Sequence, residues 1–301
     1  MKISLEVRPV EAPFGAEVIG VDFAAALDDA TFAMIARALY AHRVLVFRGE
    51  PRRDEALAAF ARRFGPLVRL YEHETTVPGF PEIVRVSNVE EKGKPIGLAG
   101  AQELPWHHDH AYLDHPAKES FLEAVELPPQ PPRTSFVDMV AALASLPPQL
   151  RERIAGRRAL HHIDERRDAD SGGERELRAT GLTPEYRDST NVLAQQRIAS
   201  QRALHPLVVR HPDSGLAALY ASPLATHEIA GLSRSASRDL FAELFEHAIQ
   251  PAYIYAHSWS TGDLVVWDSI STLHQREAFD PSTRRLMKQM STQTATPLAA
   301  C

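Results

Sequence analysis

Short apolar runs, several of them rich in Val and Ile, recur along this chain and constrain its fold more than any other feature. Runs of this kind, bounded by turn residues, predict strands, and they lie at 16–23, 43–48, 83–89, 118–126, 134–138, 207–210, 218–220, 252–257, 263–267 and 284–292. Helix caps and helical spacing of apolar residues mark four other stretches, at 28–39, 54–64, 141–155 and 233–248. Many short strands with a few helices outside them predict a mainly β domain with flanking α-helices, a jelly roll or barrel that spans residues 1–301.

The composition narrows the class of protein and its partners. Of the 301 residues, 44% are hydrophobic and 24% are charged, which is typical of a globular chain. The formal charge of −6 argues against a nucleic-acid partner, which would need a basic surface. The single cysteine, Cys301, excludes an intramolecular disulfide and favours a reducing compartment. Because the first residues lack the apolar core of a signal peptide and nowhere do 18 apolar residues run together, we expect a cytoplasmic protein with no membrane partner.

Potential metal ligands are densest in the segment Trp106-His107-His108-Asp109-His110. In an extended strand, side chains two positions apart point to the same side, so His107 and Asp109 would project together. His274, just after an apolar run near the C-terminus, is the best candidate for a third ligand. Two histidines and one carboxylate form the facial triad of non-haem Fe(II) oxygenases, whose open positions would take a bidentate keto acid and O₂.

The same segment offers a second register. His108 and His110 would also share one side of a strand, and such a pair is a plausible half of a zinc site. In that interpretation the chain is a zinc-dependent hydrolase. The residues of this segment alone leave both registers open.

Arg285 supplies a further constraint, because it lies 11 positions after His274. The intervening residues 280–283 form a turn, so we expect His274 and Arg285 on paired antiparallel strands. A guanidinium buried in a barrel needs an anion, and the distal carboxylate of 2-oxoglutarate would suit its planar fork. Thr134 could add a hydroxyl to that carboxylate. Alternatively, Arg284 and Arg285 are a pair of surface arginines.

An ordered set of motifs along most of the chain resembles one family, the taurine dioxygenase / 2,4-dichlorophenoxyacetate dioxygenase family of Fe(II)- and 2-oxoglutarate-dependent oxygenases. The set comprises residues 14–18, 20–22, 44–48 and 60–67, the Trp106-His107-x-Asp109 box, residues 262–264 and 267–268, His274, and Arg284-Arg285. This resemblance implies a double-stranded β-helix, a cupin-like jelly-roll core. It also implies that His107, Asp109 and His274 are iron ligands, in preference to the His108–His110 register, and that Thr134 and Arg285 hold 2-oxoglutarate.

The activity implied by the resemblance is oxidation, most often hydroxylation, of a small molecule. Fe(II) would be the cofactor, and 2-oxoglutarate and O₂ the cosubstrates. Desaturation, ring formation and oxidative decarboxylation of the substrate are alternatives on the same scaffold. We expect a small-molecule substrate as the binding partner and a homo-oligomer, a dimer or a tetramer.

The chain departs from the family pattern where the substrate would bind. Gln289 replaces a second arginine four positions after Arg285, and Glu103 stands where an Asn is common. Both changes disfavour taurine and simple phenoxyacetates and favour a neutral or amine-bearing substrate, unless Lys288 or an arginine of 161–203 replaces the missing cation. The candidate substrate residues are Leu70, Tyr71, His73, Asn88, Glu103 and Gln289.

Residues 161–203 differ from their surroundings, because they are dense in charge and lack an apolar period. A long excursion of this kind predicts either a solvated surface loop or a lid over the active site.

Overall fold

The computed structural model describes residues 5–71, 74–163 and 201–301. Numbered along the chain, the strands are β1 (Glu6–Pro9), β2 (Ala16–Ile19), β3 (Val44–Phe47), β4 (Thr76–Val77), β5 (Phe80–Ser87), β6 (Glu90–Glu91), β7 (Lys94–Pro95), β8 (Leu104–His107), β9 (Ala117–Glu126), β10 (Thr134–Asp138), β11 (Arg158–His162), β12 (Arg202–Pro206), β13 (Val208–Arg210), β14 (Ala217–Leu219), β15 (Thr226–Ile229), β16 (Ile254–His257), β17 (Leu264–Asp268), β18 (Thr272–Arg276), β19 (Leu286–Gln293) and β20 (Ala299–Ala300). The helices are α1 (Asp29–His42), α2 (Asp54–Arg62), α3 (Met139–Ala144), α4 (Pro148–Ile154) and α5 (Arg234–Ala248). The described chain is therefore mainly β with flanking helices, as the sequence predicts.

Two sheets dominate. The larger has eight strands in the order β1-β2-β3-β17-β9-β19-β5-β4, and the smaller has four in the order β16-β10-β18-β8. Within both, every pairing is antiparallel except that of β2 with β3. Shorter sheets, β12-β11-β15, β14-β13-β20 and β6-β7, lie outside them.

In the central strands of the large sheet, apolar side chains point alternately to its two sides. Both sides of this sheet are therefore covered by other parts of the chain. In β3, Val44 and Val46 belong to the apolar cluster that also contains Phe136 of the four-stranded sheet. Leu45 and Phe47 point the other way, into the cluster formed with α1 and α2. The two sheets therefore enclose one core, and helices α1 and α2 cover the outer side of the larger sheet.

The same alternation gives the four-stranded sheet an inner and an outer side. Phe136 packs toward the large sheet, whereas Val137 and Leu273 join a third cluster with α3 and α5. We call the side that Phe136 occupies the inner side.

Local signals position the helices where the sequence predicts them, with one exception. Asp28 caps α1 by accepting a hydrogen bond from the Thr31 amide, at 2.7 Å. The single helix predicted over 141–155 is wrong, because α3 ends at Ala144 and α4 begins at Pro148. Pro147 and Pro148 explain the break, since each lacks an amide donor and the residue before a proline is displaced from helical geometry.

The strands that carry His274 and Arg285 do not pair, so that prediction is wrong. His274 lies on β18, which pairs with β10 and β8, and Arg285 immediately precedes β19, which pairs with β5 and β9. Residues 277–285 cross from the small sheet to the large one instead of closing a hairpin. The physical consequence is that the two residues approach a shared interior from opposite sheets.

The charged excursion predicted over 161–203 begins and ends within regular structure. Its outer residues belong to β11 and β12, which pair antiparallel, so its predicted boundaries are too wide. The remainder, 164–200, lies outside the described residues, as does the predicted lid. Among the described helices, none combines the length and apolar character that crossing a membrane requires.

Candidate active site

β8 and β18 bring two histidines together on the inner side of the four-stranded sheet. His274 lies opposite both His107 and Phe136, and the imidazole centroids of His107 and His274 are 4.0 Å apart. β8 ends at His107, so Asp109 lies in the turn that follows. The Asp109 Oδ1 atom is nevertheless 3.8 Å from Nε2 of each histidine. The three residues converge as predicted, but a turn, and not strand alternation, brings Asp109 to His107.

The protonation of this cluster suits a transition metal. Donor atoms of His107, Asp109 and His274 all lie within 4.8 Å of one another, all three residues are buried, and the described residues contain no second group this compact. His107 Nδ1 is 2.7 Å from the Pro105 carbonyl, which can only accept, so Nδ1 carries a proton and Nε2 is the nitrogen that faces Asp109. Burial lowers the pKa of His274 to about 3, which keeps this imidazole neutral.

Three buried serines hold the Asp109 carboxylate. Ser120 Oγ donates to Asp109 Oδ2 at 2.6 Å, and the hydroxyls of Ser269 and Ser291 lie 2.7 and 2.9 Å from Ser120 Oγ. Because the single proton of Ser120 goes to Asp109, the other two serines must donate to Ser120. Burial alone would raise the pKa of Asp109, but the three neighbouring histidines and the Ser120 hydrogen bond together outweigh it and lower the pKa.

Arg285 is the second buried element of the site. Its side chain is only 1% exposed, and its Nε and Nη1 atoms are buried without a hydrogen-bond partner. Burial, together with the charge of nearby Arg276, lowers the pKa of Arg285 to about 9. A guanidinium in this setting requires an anion, so the alternative of a surface arginine is wrong.

Thr134 is oriented to donate. The Trp259 indole donates to Thr134 Oγ1 at 2.9 Å, and Thr134 is buried. Since Oγ1 accepts this bond, its own proton is available for an anionic ligand.

Arg276 is a further buried arginine beside the site, and it is not among the residues predicted from the sequence. It is 4% exposed and lies opposite Thr134 across the β10–β18 ladder. The signal that could identify it is its position two residues after His274, because alternate residues of a strand share a side.

The rival zinc register is not formed. His108 packs against the Tyr220 ring and its Nδ1 is 2.9 Å from the Ser269 carbonyl. His110 has a positive φ of 53° and its Nδ1 lies 3.2 Å from the Tyr112 hydroxyl. Neither histidine belongs to the compact group of potential metal ligands.

Two of the predicted substrate residues lie near the triad. Gln289 Nε2 is 3.4 Å from both carboxylate oxygens of Asp109, so the residue that replaces the family arginine faces the triad. The Tyr71 ring centroid is 6.2 Å from that of His110, and burial raises the pKa of Tyr71 to about 12. Leu70, its neighbour, is half-buried.

The other predicted substrate residues are placed differently. Glu103 is exposed just before β8, and His73 lies outside the described residues. The Asn88 amide is bound to backbone: it donates to the Thr283 carbonyl at 2.7 Å and accepts from the Arg285 amide at 2.9 Å. Asn88 thus holds the segment that carries Arg285.

Lys288 does not replace the missing cation. Its Nζ atom lies 2.6 Å from Asp54 and 3.9 Å from Glu123. Strand alternation directs Lys288 to the opposite side of β19 from Gln289.

Comparison with known proteins accounts for this arrangement. The family model described as "Taurine catabolism dioxygenase TauD, TfdA family" matches residues 6–291. The chain belongs to this family. It is a 2-oxoglutarate-dependent dioxygenase that oxidises a small molecule.

Relatives and solved structures cover nearly the whole chain. Pentalenolactone F synthase of Streptomyces avermitilis is 36% identical over 288 residues, which cover 92% of this chain and 90% of the relative. The α-ketoglutarate-dependent 2,4-dichlorophenoxyacetate dioxygenase of Cupriavidus pinatubonensis is 33% identical over 300 residues, with coverages of 96% and 98%. The crystal structure of AAD-2 in complex with Mn(II) and N-oxalylglycine aligns with a TM-score of 0.77 at 27% identity, covering 99% of this chain and 100% of that one. The first two relatives are named for different small molecules, neither of them taurine, so the family membership does not make taurine the substrate.

Proposed function

We propose that this dioxygenase binds Fe(II) through His107, Asp109 and His274, and 2-oxoglutarate through Arg285 and Thr134. The observation that carries the proposal is the convergence of three buried metal-binding residues within 4.8 Å. Two neutral imidazoles and a carboxylate are the ligands of non-haem Fe(II) oxygenases and leave positions open for a keto acid and O₂. When bound, the iron would supply the oxygen activation by which 2-oxoglutarate is converted to succinate and CO₂ while the substrate is oxidised.

The chain's own residues would bind and orient the cosubstrate. The Arg285 guanidinium can pair with the distal carboxylate through two parallel hydrogen bonds, and the free proton of Thr134 can complete its binding. The burial of both residues excludes water from this end of the pocket. We further propose that the two facing sheets form a double-stranded β-helix within a single domain, which the alternation of β3 between the two clusters supports.

We propose that the substrate is a neutral molecule with a hydrogen-bonding oxygen, and that it is hydroxylated. Support comes from Gln289, an amide beside Asp109, and from the ion pair that occupies Lys288. Glu103 is exposed and therefore gives no support for an amine-bearing substrate. Pentalenolactone F synthase, a relative, is named for a lactone, a group that has a hydrogen-bonding oxygen.

Anaerobic addition of Fe(II) and 2-oxoglutarate tests the two binding sites together. We expect the weak visible charge-transfer band of an iron–keto acid chelate in the wild-type protein. His107→Ala should abolish the band, and His108→Ala should retain it, because His108 lies outside the triad. Loss of the band in the His108 variant alone would overturn the proposed ligand set.

A substrate panel tests the charge of the pocket. Lactones, amines, sulfonates and aryloxyacetates would be compared by product formation, since succinate release also reports uncoupled turnover. We expect neutral lactones to exceed taurine and aryloxyacetates by at least about tenfold in kcat/KM, which needs about 1.4 kcal/mol of transition-state binding. A sulfonate or carboxylate as the best substrate would contradict the proposal.

A further inference from the structure

We propose that Arg276 is a second guanidinium for the distal carboxylate of 2-oxoglutarate, so that two arginines from opposite sheets and Thr134 bind it together. The inference rests on the proposed cosubstrate site and adds to it a residue that no motif identifies. Four observations carry it: strand register, unpaired nitrogen atoms, the absence of a protein carboxylate, and the neighbouring charge of Arg285.

The register of the small sheet separates a metal-binding row from an anion-binding row. His107, His274 and Phe136 lie opposite one another in the first row, and Arg276 and Thr134 lie opposite each other two positions along. Two positions along a strand are about 6.6 Å. A five-carbon diacid has a similar length, so a keto acid bound at the triad would extend its far carboxylate toward the second row.

The hydrogen bonds of Arg276 leave one part of its guanidinium without a partner. Nη2 donates to the backbone carbonyls of Gly100, at 2.9 Å, and Gln102. Nε and Nη1 are buried and have no hydrogen-bond partner. A residue that served only to hold the segment 100–102 would need Nη2 alone, and leaving the other donors unpaired would be unfavourable.

The two arginines create an uncompensated positive region. Within the described ranges, no carboxylate lies within 4 Å of either guanidinium. The Cζ atoms of Arg276 and Arg285 are 5.1 and 5.9 Å from the centroid of the same ring, Phe279. Two buried like charges beside one ring would be stabilised by an anion that binds both. A carboxylate has two oxygens with several acceptor positions, enough for both arginines and Thr134.

The test measures carboxylate binding separately from metal binding. Calorimetric titrations would use glutarate with the metal-free protein, and 2-oxoglutarate with the Co(II)-loaded protein under anaerobic conditions. Glutarate retains the distal carboxylate and lacks the keto group, so its affinity reports on the anion pocket. The variants are Arg276→Met, Arg276→Lys and Arg285→Met. Arg43→Met serves as a control that also removes a buried guanidinium, at an ion pair with Asp138.

We expect Arg276→Met to weaken both ligands about 10- to 100-fold, the cost of one hydrogen bond to a charged group. Co(II) affinity should stay unchanged, and Arg276→Lys should recover only part of the loss, because lysine keeps the charge without the planar fork. Arg43→Met should leave both ligand affinities at the wild-type value, even if its melting temperature falls.

The outcomes distinguish this inference from the proposed function. If Arg285→Met weakens both ligands and Arg276→Met weakens neither, Arg276 serves only to hold residues 100–102 and the inference is wrong. If neither arginine variant affects 2-oxoglutarate, or the wild-type protein does not bind it, the proposed cosubstrate site fails and the inference fails with it.

Discussion

Ser120 determines which oxygen of Asp109 faces the two histidines. Its hydroxyl binds Oδ2, and it is itself bound by Ser269 and Ser291, so Oδ1 is the oxygen left toward His107 and His274. A carboxylate fixed in this way would bind a metal through one oxygen and leave the remaining positions open. Partners that orient metal ligands commonly change metal affinity by about 10- to 100-fold.

Ser120→Ala should therefore weaken Co(II) binding by about tenfold or more. Calorimetric or absorbance titration of the metal-free protein measures the change. Ser237→Ala is the matched control, because Ser237 is also buried but accepts from the Ile229 amide, in another part of the fold. Equal Co(II) affinity in the two variants would mean that the serine cluster does not orient the ligand.

Asn88 links an element of the large sheet to Arg285, the proposed cosubstrate residue. It follows β5, and its amide binds the backbone at Thr283 and Arg285, at the end of the connection that crosses between the sheets. The Ser87 hydroxyl adds a bond to the Arg285 carbonyl at 2.8 Å. The position of the Arg285 guanidinium thus depends on these contacts to residues at the end of β5.

Asn88→Ala should raise the KM for 2-oxoglutarate by about tenfold, which corresponds to about 1.4 kcal/mol. Metal affinity should be unchanged, because no triad residue contacts the Asn88 amide. Steady-state kinetics with varied 2-oxoglutarate, alongside a Co(II) titration, separates the two effects. An unchanged KM would show that the Asn88 contacts are not needed to position Arg285.

The elements differ in how far the sequence predicts them. The strands and helices follow local patterns, so β3, α1 and α5 lie close to their predicted positions. Pairing depends on residues distant in sequence, and for that reason the crossing between the sheets at 277–285 and the role of Arg276 were not predicted. His107, Asp109 and His274 lie together as the family resemblance implies, although Asp109 lies in a turn and strand geometry does not bring it there. Strand alternation predicts that Gln289 faces the same side as Arg285. In contrast, no pattern in the sequence around Asn88 predicts its hydrogen bonds to the backbone.

At the scale of the whole molecule, several buried histidines among the described residues have lowered pKa values, and this makes the stability depend on pH. Burial lowers the pKa of His108 to about 4 and that of His274 to about 3, and it also lowers the pKa values of His161, His205 and His257. An unfolded histidine titrates near 6.5, so below that pH the unfolded state binds more protons. Stability is then lost as the pH falls. His211 has the opposite sign, because its contact with Asp268 outweighs burial and raises its pKa.

The free energy of unfolding of the metal-free protein should therefore decrease between pH 7.5 and pH 5.5, as measured by urea denaturation. His205→Gln should reduce this decrease, because glutamine can still donate to the carbonyls of Ala111 and Leu113 but does not titrate. A stability that is constant across this range, or that rises toward pH 5.5, would contradict the prediction.

Two of the three tryptophans contact residues of the site and the third, Trp106, adjoins His107 in β8, which gives the protein a built-in optical signal. Trp106 precedes His107 in β8, the Trp267 ring centroid is 4.8 Å from that of His274, and the Trp259 indole donates to Thr134. Co(II) should quench the emission of the first two, and 2-oxoglutarate should shift that of Trp259 by recruiting the Thr134 proton. Trp267→Phe should remove part of the metal response, and Trp259→Phe should remove most of the cosubstrate response, in a fluorescence titration. Since the three tryptophans either contact the site or adjoin one of its residues, the emission of the unlabelled enzyme would report ligand occupancy with no background from distant parts of the fold.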